Sequence, residues 1–241
     1  LDAFAPNRLS KYLERLTYRQ KHYAIGVTNA VLQDYTKYIG VNGSNSVLHN
    51  FVDQAFFEEK NSKTDFGEPG LRLVSVGNLR SQKNYGQLIC TLAQLKEYDI
   101  SLDIVGDGPQ YEQLQQLIKE YELEERVCLK GARTDVAPLL KDYDVFVSST
   151  RYEGFYIAMA EAMAVGLPCL VPDMDVLKEV SSNSQLYYKH SSDLAEKLKH
   201  LYHNKHELPY YAERARVTAK KYTVERHIAQ LVAIYKTVKT N

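Results

Sequence analysis

The sequence predicts an α/β protein, a Rossmann-like open parallel sheet with helices on both faces, preceded by a shorter leading segment. Three observations carry the prediction. From Leu71 onward, short apolar runs alternate with stretches whose apolar residues repeat at helical spacing. Several runs end in glycine, at Gly77, Gly106 and Gly131, where a strand would turn toward a helix. Residues 144–171 read as strand, loop, helix and strand, which is one βαβ unit.

The leading segment reads as a charged helix over Arg8–Arg19, then a short strand over Tyr23–Val27. Thr28 or Asn29 is placed to cap a helix running to Ile39, and Gly40 ends it. Ser46–Leu48 reads as another strand, followed by His49 and Asn50. Residues 58–70 are polar and broken by glycine and proline, as a loop or linker is. The second regime opens with the strand LRLVSV and its glycine turn. A helix over Gln87–Glu97, a strand over Ser101–Val105 and a helix over Tyr111–Tyr121 follow. Then come a strand over Arg126–Leu129, a short helix over Asp135–Leu140 and a strand over Asp144–Val147. A helical pattern from about Phe155 to Val165 is stopped by Gly166 and Pro168, and Cys169–Val171 and Leu186–Tyr188 read as strands. Helices close the chain over Ser192–Leu201, Leu208–Lys220 and Val224–Ile234. The apolar stripe Ile228, Leu231, Val232 and Tyr235 packs either on the sheet's own domain, or against the first fifty residues or a neighbouring domain.

Composition narrows the function. Acidic and basic residues balance at 30 each, which gives no electrostatic case for nucleic acid or an anionic membrane. The cysteines Cys90, Cys128 and Cys169 sit in apolar settings without paired ligand spacing, as thiols of a reducing compartment do. That points to the cytoplasm, with a peripheral contact at the inner face of a membrane left open. No apolar run is long enough to cross a membrane.

Four groups carry candidate chemistry at the predicted strand ends. In Gly77-Asn78-Leu79-Arg80-Ser81-Gln82-Lys83-Asn84, the glycine lets backbone approach a ligand and Arg80 or Lys83 can meet phosphate oxygens. A solvated loop would look the same. Gly106-Asp107-Gly108-Pro109 is a tight turn, structural or at the ligand edge. Gly131-Ala132-Arg133 is placed to flank a base or ribose. Glu153 precedes a helix and Glu161 lies inside it. The helix start offers free N–H groups to a diphosphate, and a carboxylate can accept both hydroxyls of a diol. A glycosidase-like acid and nucleophile pair is the other use of two carboxylates. His200, His203 and His206 read as solvated histidines rather than a metal site. Neither the Walker spacing nor the dinucleotide fingerprint is present.

The segments VGNLRSQKN, LDIVGDGPQYEQLQQL and VCLKGARTDVAPLLKDYDVFVSSTRYEGFYIAMAEAMAVGLPCLV resemble the nucleotide-sugar-binding half of retaining GT-B glycosyltransferases of family 4, the glycosyl transferases group 1. The resemblance covers about residues 23–237. Its most specific part is Glu153 and Glu161 separated by seven residues, then Ala162-Met163-Ala164 and Gly166-Leu167-Pro168. It implies that Glu161 holds the donor ribose and that Glu153 lies at the reaction centre as the catalytic residue. It implies that Lys83 binds phosphate and that the backbone of Gly154, Phe155, Tyr156 and Ile157 meets the sugar and diphosphate. Gly77, Arg80, Gly106 and Arg133 complete the implied donor site. The family usually has arginine where this chain has Asn78 and glycine where it has Tyr156.

The resemblance also divides the chain. Residues 1–57 match the end of an acceptor-binding first domain, 58–70 a linker, 71–220 the donor domain and 221–241 a helix crossing back to brace the first domain. The expected protein is therefore a truncated donor half, weak or inactive alone. The expected partners are a nucleoside diphosphate sugar, an acceptor sugar or lipid-linked sugar reached through the missing domain, and a second copy through the leading segment. No nucleic acid, metal or cofactor is implied. A non-catalytic nucleotide-sugar-binding or assembly module is the rival reading, and the residues at 78 and 156 motivate it.

Overall fold

The computed structural model describes residues 23–39, 44–59 and 69–240. The expected helix over Arg8–Arg19 and most of the expected linker lie outside them. A small two-stranded parallel sheet comes first: β1 (Ala24–Gly26), helix α1 (Asn29–Ile39) and β2 (Asn45–Val47). The short helix α2 (Gln54–Glu58) follows, capped by Asp53, whose carboxylate accepts from Ala55 N at 2.9 Å.

The main body is a six-stranded parallel sheet in the order β5-β4-β3-β6-β7-β8. It comprises β3 (Leu71–Val76), α3 (Tyr85–Ala93), β4 (Ile100–Val105), α4 (Tyr111–Glu120), β5 (Val127–Gly131) and α5 (Val136–Leu140). It continues through β6 (Val145–Val147), α6 (Ile157–Val165), β7 (Cys169–Pro172), α7 (Asp175–Ser181), β8 (Leu186–Tyr188), α8 (Ser191–His203), α9 (Leu208–Ala219) and α10 (Val224–Thr240). Strand alternation sends side chains to two cores. Leu71, Leu73, Val145, Val147 and Leu170 pack with α3, α4 and α8. Val74, Phe146, Cys169 and Val171 pack on the opposite face with α5, α6, α7 and α9. Helices therefore cover both faces, as the apolar runs required.

Strand order reverses between β3, which leads outward to β4, and β6, which pairs with β3 on the other side. Such a switch point opens a crevice outside the strands' carboxyl ends.

Several boundaries differ from the sequence reading. Helix α3 ends at Ala93, not Glu97, because Arg126 draws the following turn inward. Its guanidinium donates to the carbonyls of Leu95, Tyr98 and Ile100 at 2.6–3.1 Å. Helix α6 starts at Ile157, since Tyr156 is left-handed, with φ 69°. Helices α2 and α7 were not anticipated; they span 5 and 7 residues, too few for a periodic pattern to declare itself.

On α10, Ile234 is the buried residue, and Gln230 Nε2 and His227 Nδ1 donate to the carbonyls of Val47 and His49 at 3.0 and 2.7 Å. The inner face of α10 thus packs on the leading segment, while Ile228, Val232 and Tyr235 of the expected stripe are exposed.

Candidate functional site

The loops after β3, β4 and β5 lie against one another at the sheet edge. Gly77 N donates to Val105 O at 3.0 Å, Leu79 N to Asp107 O at 3.0 Å, and Gly106 N to Gly131 O at 2.9 Å. Gly106 is required sterically, because a Cβ there would come within 2.1 Å of Gly77 O. Its N–H is committed to this packing. Arg80 is exposed at the rim. Arg133, also exposed, forms a two-pronged pair with Asp135, with Nε–Oδ1 at 2.8 Å.

Lys83 and Glu153 meet across the switch point. Lys83 comes from the loop after β3 and Glu153 from the loop after β6, and Nζ lies 2.6 Å from Oε1. Their side chains are only 15% and 9% exposed, so the pair is largely withdrawn from water. Thr150 Oγ1 donates to the same carboxylate oxygen at 2.8 Å. The two loops are stitched together. Arg151 N and Gln82 Nε2 donate to Gln82 O and Tyr152 O at 2.9 and 2.7 Å, and Ser149 Oγ donates to the carbonyls of Lys83 and Asn84.

Tyr156 closes the group from the other side. It adopts a backbone conformation that costs a non-glycine residue roughly 1–2 kcal/mol, yet its ring is buried. The ring tilts against Phe146 at 5.9 Å between centroids and lies 4.1 Å from Lys83 Nζ. Burial pushes its phenol well above the ordinary range.

The start of α6 faces this cluster without a side-chain cap and without an acid in its first turn. The earliest helix amides to bond are Met159 N and Ala160 N, both to Tyr156 O. That leaves Ile157 and Ala158 N–H without an acceptor among the described residues, at the positive end of the helix. Gly154 O is held by Thr28 Oγ1 at 3.0 Å, which ties the leading segment to this loop.

Glu161 sits one turn further along α6, on the same side as Ile157. It is partly buried, and burial, aided by the charge of Asp53, pushes its carboxyl up to about 7. Among the described residues nothing donates a hydrogen bond to it. The two glutamates are thus unlike: Glu153 has one oxygen engaged by Lys83 and Thr150, whereas the partly buried Glu161 has no hydrogen-bond donor among the described residues. Sequence reasoning missed Thr150 and Asp53 and gave Thr28 only as a helix cap, which it is, with Val31 N donating to its Oγ1 at 3.3 Å. No motif marks Thr150, and only the short capped helix after Asp53 hints at that residue. His49, which follows β2, bonds Glu179 Oε1 through Nε2 at 3.1 Å and packs on Phe155 and Tyr222. His200 pairs with Glu207.

The family model described as glycosyl transferases group 1 matches residues 56–221. The chain belongs to this family. Among curated relatives of this group 1 chain, N-acetyl-alpha-D-glucosaminyl L-malate synthase of Bacillus anthracis is 26% identical over 182 residues, 73% of this chain and 48% of the relative. UDP-Gal:alpha-D-GlcNAc-diphosphoundecaprenol alpha-1,3-galactosyltransferase of Escherichia coli is 33% identical over 142 residues, 54% of this chain and 37% of the relative. The chain spans about half or less of the length of the curated relatives it matches. The crystal structure of a glycosyltransferase from Rickettsia africae ESF-5 superposes with a TM-score of 0.84 at 16% identity, over 99% of this chain and 69% of that one. This group 1 chain therefore has the fold of known glycosyltransferase structures, a parallel six-stranded sheet flanked by helices. Among the described residues no helix is long and apolar enough to cross a membrane.

Proposed function

We propose that this chain is the donor-binding half of a retaining family 4 glycosyltransferase. The enzyme moves a sugar from a nucleoside diphosphate sugar to an acceptor hydroxyl and keeps the anomeric configuration. What supports the reading is that Lys83 meets the loop leading into the uncapped start of α6, and that Glu161, one turn along α6, has no hydrogen-bond donor among the described residues. As the anomeric carbon–oxygen bond breaks, negative charge grows on the departing diphosphate. Lys83 and the Ile157 and Ala158 N–H groups are fixed donors for that charge and need no metal to supply it. Glu161 accepts the two ribose hydroxyls. Glu153, with its second oxygen still available, orients the sugar. Arg80 and Arg133 stand at the rim, where a phosphate or base can recruit them.

The acceptor side lies in a first domain, of which residues 1–57 are the end, with 58–70 as linker, 71–220 as donor domain and 221–241 as the brace. Without it these residues transfer weakly or not at all, because nothing aligns the incoming hydroxyl. The named activity of the E. coli relative makes a UDP-sugar donor and a lipid-linked sugar acceptor the first pair to try. Calorimetric titration of the chain with UDP-, GDP- and ADP-sugars tests the reading. One class should bind, and Lys83→Ala and Glu161→Ala should each weaken it by tenfold or more, about 1.4 kcal/mol. Equal binding by both variants would refute the assigned roles.

A further inference from the structure

We infer that Tyr156 is a positioning residue for Lys83: its ring is a shelf that holds the ammonium at the mouth of the crevice, against the pull of Glu153. This rests on the donor-binding reading above.

The lysine is confined on three sides. Its stem runs over Gly77, where an added Cβ would lie 3.1 Å from Lys83 Cε. Its Nζ bonds Glu153 Oε1 at 2.6 Å and lies 4.1 Å from the Tyr156 centroid. An ammonium has three N–H donors. Glu153 takes one and the ring face attracts the cation without needing a lone pair, so a further N–H stays available for a phosphate oxygen. A carboxylate alone would hold the lysine too, but by competing for the charge that a diphosphate needs. An aromatic face holds it without neutralising it.

Tyr156 is itself built to be immobile. Its left-handed backbone ends the loop and sets the first turn of α6, and Phe146 backs the ring. Keeping a side chain of this bulk in a conformation that favours glycine needs compensation. Burial against Phe146 supplies part of it, and the contact with Lys83, which joins the two candidate phosphate-binding elements, supplies the rest. A bulky residue at this left-handed position thus supports ligand binding rather than blocking it.

The test is a double-mutant cycle on affinity for the nucleoside diphosphate sugar that binds the wild-type chain. Tyr156→Leu keeps the site apolar and removes the ring face, leaving a smaller side chain. It should weaken binding about three- to tenfold, the range for freeing one long side chain or losing a desolvated cation–π contact. Tyr156→Phe should restore most of the loss. In a Lys83→Ala background the Leu change should cost no more. Wild-type affinity in Tyr156→Leu, or an undiminished loss in the Lys83→Ala background, would overturn the proposal and leave the donor reading intact. Failure of the wild-type chain to bind any nucleoside diphosphate sugar would overturn both. A second readout needs no change at Tyr156. The Lys83 ε-methylene resonance of the free wild-type chain should be shifted upfield by the ring current and should stay so when ligand is added. An unshifted resonance would overturn the proposal even if Tyr156→Leu failed to fold.

Discussion

Replacing Glu161 by Gln should stabilise the free chain while weakening its hold on a nucleoside diphosphate sugar. The carboxyl is raised from 4.5 to about 7 by burial and by the Asp53 charge. A group raised in this way contributes fully below its unfolded value and loses that contribution as pH climbs through its folded value. Between about pH 4.5 and 7 the wild-type chain therefore loses stability that Glu161→Gln keeps. The full shift corresponds to roughly 3 kcal/mol. Partial exposure of the side chain discounts this to on the order of 2 kcal/mol, about 4–8 °C in melting temperature for a chain of this size. Binding runs the other way. On the proposed reading the ionised carboxylate accepts two ribose hydroxyls, and bonds to a charged acceptor are worth about 1.5–3 kcal/mol each against about 0.5–1.5 kcal/mol for those to the neutral amide of Gln. Wild-type affinity should thus rise from pH 6 to 8, while Glu161→Gln binds roughly 30-fold more weakly at pH 8 and shows little pH dependence. A sugar-blocked diphosphate has no phosphate proton to lose over this range, so the slope reports on the protein. Thermal melts and calorimetry across pH 5.5–8.5 measure both effects. A Glu161→Gln chain less stable than wild type at pH 8, or one that binds equally well there, would refute the argument.

Lys83→Met should destabilise the chain by about 2–4 kcal/mol in urea unfolding, because it strands the withdrawn Glu153 charge. Adding Glu153→Gln should recover much of that loss. Gly106→Ala should cost about 3 kcal/mol, since the new methyl must displace the Gly77 carbonyl that it would otherwise meet at 2.1 Å. The same unfolding curves measure it. Arg126→Ala removes the guanidinium that ties the carbonyls of Leu95, Tyr98 and Ile100 together, leaving Leu95 O and Tyr98 O only their bonds from Tyr98 N and Ile100 N. It should cost about 3 kcal/mol and raise amide exchange in residues 94–100.

The parallel sheet was legible because its strands are short apolar runs and three of them, β3, β4 and β5, run into glycine; these cues reflect burial on two faces and a tight turn. Strand order was not, since Leu73 pairs with both Leu102 and Val145 through contacts that no local pattern encodes. Glu153 and Glu161 stood out as acids flanking or interrupting an apolar helix. Their different states did not, because these depend on Lys83, 70 residues before Glu153, and on Asp53. For α10 the sequence left its packing partner open; Gln230 and His227 bond the carbonyls of Val47 and His49, so the helix packs on the leading segment while Ile228, Val232 and Tyr235 stay exposed.

The central claim is one of placement: the pyrophosphate on Lys83 and the α6 start, the ribose on Glu161. A crystal structure of the chain with a bound nucleoside diphosphate sugar tests it most directly. It should show a phosphate oxygen within hydrogen-bond distance of Lys83 Nζ and of the Ile157 or Ala158 amide, with the ribose hydroxyls on Glu161. A nucleotide seated elsewhere, with Glu161 still unpartnered, would contradict it.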